Sequence, residues 1–245
     1  MSFEKPQKGN PLKLVIQQHF HTAHCISKFY DTDGKVEVKF VETGRLEKKG
    51  KKSNIFCAKR NWDEKAERGF MSEIENSFHK EINNIKSFEN RNHSAISEYF
   101  SLWRIRHQFY KNPMQDITLN GTSGSGLTTE EEEIVESKGA IFVRDGGNVP
   151  SRFITSIQVV IELDKQRSLV KNLKWGLLEA REGEFIVADC YHDLTVMPIS
   201  PKLAFCADYK DSIISKADVS EINKQSISKA TDYYFAKNMA LCPVA

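Results

Sequence analysis

Cysteine is scarce and scattered in this sequence. Five occur in 245 residues, Cys25, Cys57, Cys190, Cys206 and Cys242, and no CxxC is among them. That odd, dispersed set argues against a cysteine-based zinc site and predicts a reduced, cytoplasmic setting. Long apolar runs are missing too: none approaches about 18 residues, so no membrane span is expected. The opening Met1-Ser2-Phe3-Glu4-Lys5-Pro6 has no apolar core of the signal-peptide kind. Neither sign of charge dominates, with 35 basic against 33 acidic residues and a net charge of +2. Whole-chain charge therefore favours neither nucleic acid nor a membrane as partner, and any basic surface must be local. No Walker loop, GxGxxG, GxSxG or kinase pattern is present. Gly121-Thr122-Ser123-Gly124-Ser125-Gly126 lacks the Lys-Ser/Thr ending of a phosphate loop.

What remains is an ordinary globular composition, 40% hydrophobic and 28% charged, long enough to bury a sizeable core. Residues 1–13 read as a flexible polar tail. A short helix is expected over Thr22 to Phe29, a turn at Asp31 to Gly34, and an alternating strand through Val36, Val38 and Phe40. Lys48-Lys49-Gly50-Lys51-Lys52 reads as a mobile basic loop, followed by a short return strand at Asn54 to Cys57. Trp62, Ala66, Phe70, Ile74, Phe78, Ile82 and Ile85 recur at helical spacing, which predicts one helix over 62–88. A second long helix, capped by Asn92 or Ser94 and ending near Tyr110, is apolar on more than one side and so belongs in the middle of a helical layer. A flexible joint at 121–126 precedes a capped acidic helix at Thr128 to Glu132 and a helix from Pro150 to about Asn172. Strands are expected at 175–180, 185–189, 195–199 and 203–206, then a closing helix from Val219 to Lys237. An antiparallel sheet segregated from long helices is the α+β class, and sheet residues on both sides of the joint favour one domain over 14–245.

The strongest chemical anomaly is Glu81. It lies roughly 20° from Ile74 on the helical wheel, inside the apolar stripe. A buried carboxylate needs a donor, a metal or a raised pKa. Glu73 sits at the edge of the same stripe. The next helix offers Arg104, Arg106 and His107 as partners. A pair of helix carboxylates facing a site and a structural Glu–Arg pair both remain open. His19, His21 and His24 fall within six residues. Their spacing matches no HExxH or zinc-finger pattern, which leaves one acid–base histidine or satisfied core histidines beside a metal reading. Asp189 ends an apolar strand, with His192 and Asp193 close behind, in a position suited either to a loop-built site or to a turn. For nucleic acid, Lys48, Lys49, Lys51 and Lys52 supply local positive charge, and Arg104 and Lys111 interleave with aromatic residues along the second helix. The same residues also suit a core helix with outward-reaching cations.

The order of these features resembles the bacterial family known as domain of unknown function 4238. The opening motif is Gln18-His19-Phe20-His21-Thr22-Ala23-His24-Cys25-Ile26-Ser27-Lys28-Phe29, with Thr22 where the family has proline. An Asp33-Gly34 turn, a helix with two glutamates (Glu73 and Glu81), a helix carrying Arg106 or Arg104, and a Trp175 strand follow. Ala188-Asp189 fills a strand end that in the family carries serine and proline, Pro198-Ile199-Ser200-Pro201 a later strand, and Asn223 the final helix. The resemblance spans about residues 17 to 236. It implies His19, Glu73, Glu81, Arg106, Asp189 and Asn223 as site residues, no established reaction, and a defence or toxin-like setting.

The expectation is an effector-type hydrolase acting on nucleic acid, RNA favoured. In it His19 does acid–base work, Glu81 and Asp189 orient it or bind a divalent Mg²⁺ or Mn²⁺, and an arginine stabilises phosphate charge. The rival is a non-catalytic interaction module, a protein partner in a defence complex, in which the polar cluster is a buried structural network.

Overall fold

A computed structural model describes residues 3–192 and 195–244. Along the chain the elements are β1 (Gln17–His19), α1 (Ala23–Ser27), β2 (Lys35–Phe40), β3 (Leu46–Gly50), β4 (Cys57–Lys59), α2 (Glu64–Ala66), α3 (Ser72–Asn83) and α4 (His93–Lys111). There follow β5 (Ile117–Thr118), α5 (Thr129–Ser137), β6 (Asn148–Val149), α6 (Ser151–Val170), β7 (Trp175–Ala180), β8 (Val187–Ala188), β9 (Val196–Ser200), β10 (Leu203–Ala207), β11 (Ser212–Ile214), α7 (Lys216–Lys229) and β12 (Tyr233–Ala236). The fold is α+β, 41% helix and 20% strand.

Two four-stranded sheets carry most of the strands, in the orders β3-β2-β12-β8 and β11-β7-β10-β9. All their pairings are antiparallel except β11 with β7. The helix α4 ties them together. Thirteen of its nineteen residues are buried. It packs against α3 and α6, so it needs apolar residues on several sides, as its sequence pattern requires. Its Phe100 meets Trp175 of β7 edge-on, and its Trp103 indole N–H donates to the Asp189 carbonyl, 3.0 Å away, just past β8. The Asn92 side chain accepts from the Ala95 N–H at 3.1 Å and starts the helix where the sequence places it.

Four expectations are corrected. The helix over 62–88 is interrupted: a π turn occupies Glu67–Met71, Gly69 inside it leaves helical geometry, and α3 stops at Asn83. The basic run is a loop only in its second half: Lys48, Lys49 and Gly50 lie on β3, paired to β2, and Lys51-Lys52 form a turn. The final helix ends at Lys229, and its expected second half is the buried strand β12. Residues expected to be loose are held. Gln7 donates twice to Glu133, at 2.7 and 3.1 Å, and Glu4 takes Arg152 at 2.7 Å. In the Gly/Ser segment Ser125 N–H donates to the Val143 carbonyl at 2.9 Å, and Gly126 N–H to Asp145 at 3.1 Å.

Candidate functional site

Arg106 is the centre of a polar cluster that reaches His19. Its guanidinium is 1% exposed, lies 5.2 Å from the Trp62 ring, and donates to the His19 carbonyl at 3.2 Å. Glu75 binds one of its nitrogens directly, and Glu67 lies 3.6 Å from another. Burial works against the Arg106 charge, but Glu75 and then Glu67 outweigh it and hold the guanidinium protonated. Glu67 also accepts from the Trp62 indole N–H. Burial pushes the Glu67 carboxyl up, against the pull of Arg106 and that indole. The two carboxylates still reach solvent, with side chains 19% and 22% exposed.

The π turn makes this pair. Eight residues of unbroken α-helix would leave Glu67 and Glu75 about 80° apart around the axis. The wider turn over Glu67–Met71 takes up that excess, and both carboxylates converge on one arginine. Glu73 and Glu81 are also eight apart, but both lie in the regular helix α3, beyond the π turn, and they do not converge on one partner.

His19 is half-buried at the end of β1. Its Nε2–H donates to the Lys51 carbonyl at 3.4 Å, which leaves Nδ1 with a lone pair. Burial lowers its pKa, the Lys51 carbonyl partly restoring it, so the ring is neutral near pH 7. The turn it touches, Lys51-Lys52, is exposed, and among the described residues neither lysine takes an ion-pair partner. The three other predicted basic-surface lysines are paired with carboxylates. Lys48 pairs with Asp31 at 2.7 Å, Lys49 with Glu47, and Lys111 with Asp232 at 2.6 Å. Arg104 lies 5.6 Å from the Phe100 ring of its own helix.

The other residues singled out by sequence lie elsewhere. Glu73 is exposed on α3, and only its backbone carbonyl is engaged, by Ser77. Glu81 is buried as expected, but its donors are the Asn92 backbone N–H at 3.2 Å and Lys86 at 3.6 Å. It supports the start of α4, where the helix dipole favours an anion, and no reacting group faces it. Asn223 pins α7 to the chain beside it, accepting from Ile186 N–H at 2.8 Å and donating to the Glu184 and Pro243 carbonyls at 2.9 and 3.1 Å. The three N-terminal histidines are dispersed. His21 stacks 4.0 Å from Trp103 and bonds the Tyr99 hydroxyl at 2.9 Å, while His24 turns outward to Asn83 and His79.

Asp189 forms a second centre. Its carboxylate accepts from Thr231 N–H (2.9 Å), the Thr231 hydroxyl (2.7 Å) and Asp232 N–H (2.7 Å). His107 Nε2 lies 3.6 Å from it. Burial alone would raise the Asp189 pKa, but these donors, His107 first, hold it below the ordinary carboxylate value. Asp193 lies outside the described residues. His107, Asp189 and Asp232 bring ligand atoms within 4.8 Å of one another, but Mg²⁺ and Mn²⁺ need several free oxygen ligands, and Lys111 already takes Asp232. Arg106 engages the carboxylates beside His19, and backbone and Thr231 donors engage Asp189. Sequence reasoning missed Glu67 and Glu75; the one available signal was Gly69 in mid-helix, a residue that weakens regular helix. Compared with known proteins, the chain matches no family profile, no curated protein and no solved structure.

Proposed function

We propose that the protein is a hydrolase acting on nucleic acid, with RNA as the favoured substrate, through His19 and the carboxylates gathered by Arg106. The observation that carries this reading is that His19 joins the polar cluster to the uncompensated Lys51-Lys52 turn. The lysines supply sequence-independent attraction to a phosphate backbone. The neutral His19 ring, its Nδ1 lone pair unused, takes a proton from the attacking hydroxyl. RNA carries that hydroxyl next to its own phosphate, which is why it is favoured. Glu67 and Glu75 hold the Arg106 guanidinium in place beside the His19 carbonyl, and the leaving oxygen takes its proton from solvent. Arg106 is buried and faces Glu75 and Glu67, so it acts as a positioning residue, and phosphate charge falls to Lys51 and Lys52. No step is routed through a metal.

The test is incubation of purified protein with labelled single-stranded RNA and DNA, with and without Mg²⁺ or Mn²⁺. Cleavage of RNA that His19→Ala abolishes at unchanged melting temperature is the expected result. A second reading, a non-catalytic partner subunit in a defence or toxin-like system, also has an observation behind it. Ile141, Ile157 and Val160 are exposed and line an apolar groove with Phe70 and Ala140, the kind of patch that marks a protein contact. On that reading no nucleic acid is cut under any of these conditions, and His19→Ala changes only stability.

A further inference from the structure

The absence of a CxxC motif directs attention away from cysteine as a metal ligand, yet the fold brings one together with two histidines. Cys190, Tyr191 and His192 leave β8 in succession. In an extended chain alternate residues share a face. Tyr191 turns into the core, its hydroxyl shared by Ala188 N–H, the Ile186 carbonyl and Ser226. Cys190 and His192 are left to meet α4. There they find His107, and the ligand atoms of the three lie within 4.8 Å of one another.

His107 is fully buried, and its two nitrogens are not equivalent. Nε2 faces acceptors, Thr231 Oγ1 at 3.4 Å and Asp189 Oδ2 at 3.6 Å, so it carries the proton. Nδ1 is then a lone-pair donor. It is buried and has no hydrogen-bond partner among the described residues. An orphaned buried acceptor is costly. A carboxylate behind one ring nitrogen and an unsatisfied lone pair on the other is the arrangement that carboxylate–histidine–metal sites use to fix the tautomer of the ligand.

We propose that His107, Cys190 and His192 form a binding site for a zinc-class transition-metal ion, with His107 held in register by Asp189. The donor set, two imidazoles and one thiolate, is borderline-soft and excludes Mg²⁺ and Ca²⁺. Around zinc, tetrahedral ligand atoms lie about 3.3–3.6 Å apart, given bonds of ~2.0 Å to nitrogen and ~2.3 Å to sulfur. Closing from 4.8 Å needs a shift of about 1 Å, which the exposed His192 can supply. Burial and then Asp189 push the Cys190 thiol up to about 12, with Arg104 acting the other way. Binding therefore forms a metal–sulfur bond as the S–H bond breaks and its proton passes to solvent. Three protein ligands with one of them at the surface leave the fourth position to water or a small ligand. This site is separate from the His19 cluster and stands whether or not RNA is the substrate.

The test is a titration of the full chain, stripped with chelator, by Co²⁺, followed by displacement with Zn²⁺. One equivalent should bind and produce a thiolate-to-cobalt charge-transfer absorption that Zn²⁺ abolishes. Cys190→Ser should remove that absorption, and His192→Ala, at an exposed position, should weaken Co²⁺ binding by about tenfold or more. His107→Gln alters a buried residue and decides nothing by itself; the other two variants do. No charge-transfer absorption in the wild-type protein overturns the proposal. So does an absorption that persists in Cys190→Ser, or Co²⁺ affinity unchanged in His192→Ala.

Discussion

Two of the buried arginine–carboxylate networks among the described residues differ in what surrounds them. Under α5 and α6, Glu136 takes Arg60 at 2.7 Å and Arg152 at 2.8 Å, with every one of these side chains at most 5% exposed. Among the described residues no histidine bonds to it, and Glu4 of the N-terminal segment covers Arg152. Around Arg106 the arginine is equally buried, but its carboxylates break surface and a neutral histidine stands at its edge. Buried ion pairs are by themselves weak evidence of function. On the proposed reading, solvent reach and a titratable neighbour, not burial, would separate a reactive cluster from a clamp.

Four predictions break or sharpen that contrast. His19→Ala should lower RNA cleavage by about 10²–10⁴-fold, the range for losing a general base, at an unchanged melting temperature, which single-turnover kinetics and a thermal melt check together. Glu136→Gln should do the reverse. It strands two buried arginines, at a cost of about 3–5 kcal/mol in denaturant unfolding, with cleavage per folded molecule unchanged. A stability–pH curve probes the histidines next. Burial, with His19 and His79 as lesser contributors, pushes His21 down to about 3. The unfolded chain binds that proton near the ordinary value, so stability is complete above about pH 6.5 and falls by up to ~1.4 kcal/mol per pH unit as pH drops towards 3. His21→Phe should flatten that limb. Smallest is the effect of Lys51→Ala or Lys52→Ala, each reducing the salt slope of RNA binding by about one, without touching stability.

The sequence made some of this legible and concealed the rest for physical reasons. Asn92 and Thr128 announce their helices because caps are local chemistry, and the acidic start at Glu131 closes its capping box as expected. The alternation at Val36 and Val38 identifies β2 because one face of that sheet is wetter than the other. Tyr233-Tyr234-Phe235-Ala236 hides β12, since a strand buried throughout has no alternation to display and continues the apolar pattern of α7. At the site, His19 and Arg106 were readable as residues out of place. Their carboxylate partners were not, because the π turn at Glu67–Met71 brings Glu67 into line with Glu75, a register that a regular helical wheel does not show. Glu81 was correctly marked as buried, yet burial did not reveal that its partner is the Asn92 backbone N–H, eleven residues further on.

Glu75→Gln tests the central claim most directly, because it keeps the shape and polarity of the side chain and removes only its charge beside Arg106. The measurement is the single-turnover rate of RNA cleavage at a matched folded fraction. The account predicts a loss of about 10²-fold or more with unfolding free energy changed by no more than ~1–2 kcal/mol. An unaltered rate accompanied by a stability loss as large as that of Glu136→Gln would contradict it, and would make the Arg106 cluster a second clamp.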